Sequence, residues 1–272
     1  RLFHLEKPGR MNEFVATCER ATRAGGRVLS EYFGRVSPRL KSRRNLVTEA
    51  DLESQRVIRR LLAETYPDHC FLGEEDDPDL VEDSAEGSPF RWIVDPLDGT
   101  TNYVHGLPGF CVSVAVERHG KLLAGAVFDP ISEDCYTAAD GGGARLNGRP
   151  IQVSDCTQLE EALVAASFSA NVDPHSAEVQ RFVQMIRHCQ AIRRLGSSAL
   201  NLCYVAAGRL DAYWATTVSL WDVAAGFLLV REAGGVLTAP DGGPLELNPP
   251  HFATASTRAL HRELVGVLNS VV

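Results

Sequence analysis

Trp92-Ile93-Val94-Asp95-Pro96-Leu97-Asp98-Gly99-Thr100-Thr101-Asn102 carries an apolar strand straight into two aspartates, then glycine and a pair of hydroxyls. At roughly 4 Å and an effective dielectric near 20, two such carboxylates repel by about 4 kcal/mol. A cation between them, or a proton on one of them, must relieve that repulsion. Hard oxygen ligands match magnesium better than zinc. Pro96 lacks a backbone N–H and stiffens the turn that aims both side chains at one point. A nucleotide-binding reading of Gly141-Gly142-Gly143 lacks the strand-to-helix setting and the lysine it needs, so a turn is expected there.

Three further motifs flank this stretch. Leu46-Val47-Thr48-Glu49-Ala50-Asp51 and Gly73-Glu74-Glu75 precede it; Trp221-Asp222-Val223-Ala224-Ala225-Gly226, with Glu232-Ala233-Gly234-Gly235, follows it. Taken in order, these motifs resemble those of the inositol monophosphatase family of magnesium-dependent, lithium-sensitive phosphatases, from Met11 to the C-terminus. The resemblance implies an α/β fold, a layered αβαβα sandwich of the inositol monophosphatase/fructose bisphosphatase type. It implies one Mg2+ held by Glu74, Asp95 and the carbonyl of Leu97, and a second held by Asp95, Asp98 and Asp222. A third ion near Glu74 and Glu75 is a further family feature. The nucleophile would be a metal-bound water, oriented and deprotonated by Thr100 hydrogen-bonded to Asp51. Gly99 and Thr100 would cradle the phosphate, and Gly196, Ser197 and Ser198 would approach the sugar hydroxyls. Lys41 is the nearest counterpart of a lysine that the family carries in a flexible segment.

Helix capping competes for several of these residues. Asp51, Asp222 and Thr101 all fall where a side chain caps free N–H groups. One departure from the family pattern bears on selectivity. Inositol-specific members place a glutamate after the Asp-Ala-Tyr-aromatic run; here Asp211-Ala212-Tyr213-Trp214 is followed by Ala215. A site built to pair a substrate hydroxyl gains discrimination from that pairing, and alanine cannot supply it. The expected activity is hydrolysis of inositol 1-phosphate or a related polyol or sugar phosphate. Broader action on sugar phosphates, nucleotides or NADP is the alternative. A regulatory protein that binds a macromolecule, with catalysis secondary, is the reading from another class.

Bulk properties narrow the field. The 272 residues suffice for a large core, and a formal charge of −8 argues against a general nucleic-acid binder. Seven scattered cysteines without a C-x-x-C pair read as free thiols of a reducing compartment, so a cytoplasmic protein is expected. No apolar run is long enough to span a membrane. The small-molecule phosphate ester is the expected partner, and the resemblance implies a homodimer. Residues 1–10 precede Met11 without periodic pattern and read as an extension. Residues 11–155 and 156–272 form the expected N- and C-terminal sub-domains, with the break near 154–159.

Apolar spacing predicts helices from Asn12 to about Phe33 and from Asp51 to about Glu64, separated by a basic loop from Arg35 to Arg44. The acid-rich stretch from Glu74 to Glu86 reads as a solvated loop beyond its first two residues. Strands are expected at Phe110 to Glu117 and Leu122 to Phe128, with hairpin signals at Asp140-Gly141 and Asn147-Gly148. The second half predicts strands at Leu163 to Ala166, Asp211 to Ala215, Gly235 to Thr238 and Phe252 to Ala255. Its helices are expected at Ala177 to Arg187, Ser197 to Gly208, Asp222 to Ala233 and Thr257 to Leu268.

Overall fold

The computed structural model describes residues 8–35, 39–42, 45–76, 87–168 and 172–271. Helix α1 (Pro8–Tyr32) leads to a hairpin of β1 (Arg39–Ser42) and β2 (Asn45–Val47), then to α2 (Glu49–Thr65). A large sheet follows: β3 (Cys70–Gly73), β4 (Phe90–Asp98), β5 (Cys111–Arg118), β6 (Lys121–Asp129), β7 (Asp134–Ala139), β8 (Gly143–Leu146) and β9 (Arg149–Pro150), with the short α3 (Thr100–Val104) after β4. These seven strands pair in chain order, and only β3 and β4 run parallel.

The chain then changes sheet. The second half contains β10 (Leu163–Ser167), α4 (Ala177–Ile186), β11 (Ala191–Arg193), α5 (Ser198–Ala206), β12 (Ala212–Ala215), α6 (Leu220–Glu232), β13 (Val236–Thr238), β14 (Phe252–Ala255) and α7 (Arg258–Asn269). Its five strands lie in the order β11-β10-β12-β14-β13, parallel around β10 and antiparallel around β14.

Side-chain alternation in β4 explains the layering. Trp92 and Val94 face one side, where Phe14 and Cys18 of α1 and Ile58 and Leu62 of α2 cover them. Ile93 faces the other side, toward α5 and α6, which fill the space between the two sheets. Helix α6 buries Val223 to Val230 without interruption, as a helix enclosed on all sides must. The outer face of the small sheet is covered by Met185, Leu260 and Leu264 against Val164, Trp214 and Ala253. The result is the five-layer αβαβα arrangement.

Two local expectations change. Residues 39–42 form a strand, so the basic segment is not simply a loop; the side chain of Lys41 lies outside the described residues. The short strand β11 has no apolar alternation strong enough to announce it. All seven cysteines are free, and among the described residues no helix is long and apolar enough to cross a membrane.

Candidate active site

The C-terminal end of β4 is the centre of the site. Because β3 runs parallel beside it with Gly73 opposite Val94, Glu74 emerges next to Asp95. The pairing of β4 with β5 is irregular between Asp95 and Asp98, which frees the intervening residues to bend. The Leu97 N–H donates to Asp95 Oδ1 at 2.9 Å, and Ser54 of α2 donates to the Pro96 carbonyl at 3.0 Å. Gly99 then takes φ +96°, and a Cβ there would lie 2.8 Å from the Gly109 carbonyl oxygen. Only glycine fits that turn.

Residues from the second half complete the site. The N–H of Ser219 donates to Asp222 Oδ2 at 2.8 Å, which sets Asp222 in the first turn of α6. Asp98 meets the start of α5: Ser197 Oγ donates to its Oδ2 at 2.5 Å and the Ala199 N–H at 2.6 Å. Asn102 bridges the halves, its amide donating to the Gly109 and Leu195 carbonyls at 2.8 Å each. It packs so closely on Gly196, at φ +91°, that a Cβ there would come within 2.8 Å of its Nδ2. Ser197→Ala is expected to lower the unfolding free energy by about 1.5–3 kcal/mol, the range for a hydrogen bond to a charged group. Urea midpoints at constant slope would read this; an unchanged midpoint would mean that the α5 N–H groups suffice to hold Asp98.

Burial dominates the electrostatics. It pushes the Asp95 carboxyl well above the ordinary range, and the charges of Glu74, Asp98 and Asp222 push further. Asp222 rises through burial and then the charge of Asp98. Burial also raises Asp98, against the hydrogen bonds from Ser197 and the α5 backbone. The charges of these acids act on one another: Glu74, Asp98 and Asp222 each raise Asp95, and Asp98 and Glu74 raise Asp222. Among the described residues, no three Asp, Glu, His or Cys side chains are arranged as a metal cage. Asp95, Asp98 and Asp222 instead each accept from a backbone N–H. Buried acids that raise one another's pKa, with only oxygen donors among them, fit a hard divalent cation by charge and donor chemistry.

The expected hydrogen bond between Thr100 and Asp51 is not formed. Thr100 Oγ1 donates to the Leu97 carbonyl at 3.1 Å. Asp51 Oδ2 accepts from the Thr48 N–H at 2.8 Å and hydroxyl at 2.6 Å, the reciprocal half of a capping box. Its Oδ1 is buried without a hydrogen-bond partner, and burial pushes the carboxyl up to about 6. Capping at the third helical position, not at the N-cap, is thus the local role of both Asp51 and Asp222. Thr101 caps nothing, since Gly99 is the N-cap of α3 and makes no side-chain bond.

Sequence reasoning passed over the residues that hold the Glu74-Glu75 turn. Gln55 Oε1 accepts from the Glu75 N–H at 3.0 Å, while its Nε2 donates to Asp76 at 2.9 Å. Asp76 also accepts from the Gly73 N–H at 2.9 Å and pairs with Arg59. It is a staple rather than one more acid of a solvated loop; the rest of that acidic run, 77–86, lies outside the described residues. Ala215 is fully buried, on β12 beside Ser167.

A model of the inositol monophosphatase family matches residues 11–272. An inositol-1-monophosphatase of Rhizobium meliloti is 40% identical over 255 residues, covering 88% of this chain and 92% of that protein. A Nus factor SuhB of Pseudomonas aeruginosa is 38% identical over 245 residues, covering 88% and 90% respectively. The crystal structure of extragenic suppressor protein suhB from Bartonella henselae superposes with a TM-score of 0.87 at 35% identity, covering 97% of this chain and 100% of that one. The chain belongs to the inositol monophosphatase family, whose members are phosphoric monoester hydrolases.

Proposed function

We propose that this family member hydrolyses the phosphate monoester of a polyol or sugar, with inositol 1-phosphate the leading substrate, and that it depends on two or three Mg2+ ions. The observation that carries the proposal is the gathering of Glu74 and Asp98 around the buried Asp95 at the end of β4, with Asp222 at the start of α6, four acids whose charges raise one another. Glu74, Asp95, Asp98, Asp222 and the Leu97 carbonyl would hold the ions, with Glu75 beside a third. When bound, the ions neutralise charge on the phosphoryl oxygens and lower the pKa of the attacking water.

The chain's own groups supply the rest. Backbone N–H groups at Gly99 and Thr100 face the phosphate at the start of α3. Asp51 Oδ1, buried and without a partner, is the proton acceptor for the water. Water oxygen then bonds to phosphorus as the phosphorus–oxygen bond to the alcohol breaks, and the departing alkoxide takes up a proton from solvent while Asp51 returns its own to solvent. Gly196, Ser197 and Ser198 line the path of the departing alcohol. Phosphate release from a panel of esters tests this: turnover with magnesium, loss with a chelator and recovery on re-addition are expected. Turnover indifferent to chelation, or none on any ester, would overturn it.

A second reading is favoured by the name of the Pseudomonas relative, a Nus factor. On that reading the chain binds a macromolecular partner and catalysis is secondary. Stable capture of a defined transcription component by a protein with no esterase turnover would establish it over the first. Homodimer formation in the cytoplasm belongs to the same proposal, and sedimentation equilibrium reads the dimer directly.

A further inference from the structure

A cavity of about 900 Å³ lies at the opposite end of the large sheet from Asp95 and Asp98. Strand β5 starts at Cys111, opposite Asp98, and ends at Arg118, so at ~3.4 Å per residue its far turn is about 24 Å away. His119 and Lys121 of that turn line the cavity together with Phe227 and Arg231 of α6. The rest of the wall comes from the edge strand β13, the loop after it and Arg258 of α7.

Floor and rim differ in chemistry. Phe227 is buried and Leu237, Leu245 and Leu247 are half-buried, so the floor is apolar. Lys121, Arg231 and Arg258 are exposed at the rim, and among the described residues no Asp or Glu lines the cavity. Lys121 and Arg231 share one carboxylate, that of Asp140. Glu232 lies 3.8 Å from Arg231, but its oxygens accept from the N–H groups of Gly141 and Gly143. Arg258 opens α7, whose first turn has no acidic residue. A cation there adds to the positive end of the helix dipole instead of offsetting it. Positive charge thus gathers over an apolar floor in a chain whose formal charge is −8.

We infer that this cavity binds a small apolar carboxylate, its chain or ring against Phe227, Leu237 and Leu245 and its head group at Arg231 and Arg258. The volume falls within the range of small-molecule pockets, about 300–1,000 Å³. Arginine suits the head group, because its planar fork can meet both oxygens of a carboxylate. A polyol phosphate offers nothing to the apolar floor, so this site is separate from the one proposed for catalysis and does not depend on that reading.

The fluorescent anion 1-anilinonaphthalene-8-sulfonate joins an aromatic body to one negative charge and serves as the reporter. Saturable binding of one reporter per chain is expected, with displacement by decanoate. Decyltrimethylammonium, with the same chain length and the opposite charge, is expected not to displace it, nor is inorganic phosphate. Arg258→Glu is expected to weaken decanoate binding about tenfold or more, as loss of a bond to a charged group does, and Arg258→Lys to retain most of it. The thermal midpoint of ligand-free Arg258→Glu is expected to equal or exceed that of the wild type, since a carboxylate suits the first turn of α7. Displacement by decyltrimethylammonium as readily as by decanoate would overturn the inference. So would displacement by phosphate alone, unchanged affinity in Arg258→Glu, or no saturable binding. The comparison of the two decyl compounds is made on the wild type, so it decides the matter even where a variant is destabilised.

Discussion

Asp95→Asn is expected to reduce kcat by on the order of 10³-fold or more, because several kcal/mol of charge stabilisation at the phosphoryl group depend on the ions held there. The same change is expected to raise the thermal midpoint of the protein without divalent ions. Asp95 is buried among Glu74, Asp98 and Asp222, so its charge is a liability when nothing offsets it. Asparagine keeps an acceptor for the Leu97 N–H while removing that charge. Magnesium should stabilise the wild type and do so far less for the variant. A variant that keeps full turnover at saturating magnesium, or whose metal-free midpoint drops, would contradict the assigned role. The paired readout matters because a merely misfolded variant loses activity and stability together.

Asp51→Asn is the second large effect. If Oδ1 accepts a proton from the water, its loss should cost about 10²–10⁴-fold in kcat, the range for a positioned general base. Burial holds the Asp51 carboxyl up to about 6, so wild-type kcat/KM should rise as pH passes through about 6 and the carboxylate forms. The variant should lack that rise. Stability moves the opposite way. A folded-state pKa above that of an ordinary aspartate gives a contribution present below about pH 4 and lost as pH rises through the folded value. Full activity in the variant, with only a lower thermal midpoint, would reduce Asp51 to its place in the capping box with Thr48.

These two residues mark what the chain's order can and cannot reveal. Asp95, Pro96, Leu97 and Asp98 stand together in sequence, and their consequences are local: a strand that ends, a turn that bends, two acids that need a cation. The periodicities of α1, α2, β5 and β6 each declare a face to bury, whereas the layered αβαβα order came only with the family resemblance. The contacts of Asp98 were not legible. Ser197 and the Ala199 N–H reach it from the other half of the chain, and that depends on how α5 seats between two sheets.

Gln55 and Asp76 were hidden for another reason. Each is an ordinary polar residue on a helix or in an acidic run, and only the approach of α2 to the end of β3 makes them a clamp. The family motif implies a Thr100 partner for Asp51; the capping box gives its Oδ2 to the Thr48 N–H and hydroxyl instead. Ala215 was legible as a missing acid, but not as a fully buried residue beside Ser167.

The most direct test is diffraction from crystals grown with manganese in place of magnesium, recorded where manganese scatters anomalously. The account predicts anomalous peaks enclosed by oxygens of Glu74, Asp95, Asp98 and Asp222. Manganese bound elsewhere, with none of those four side chains within coordinating distance of it, would contradict it.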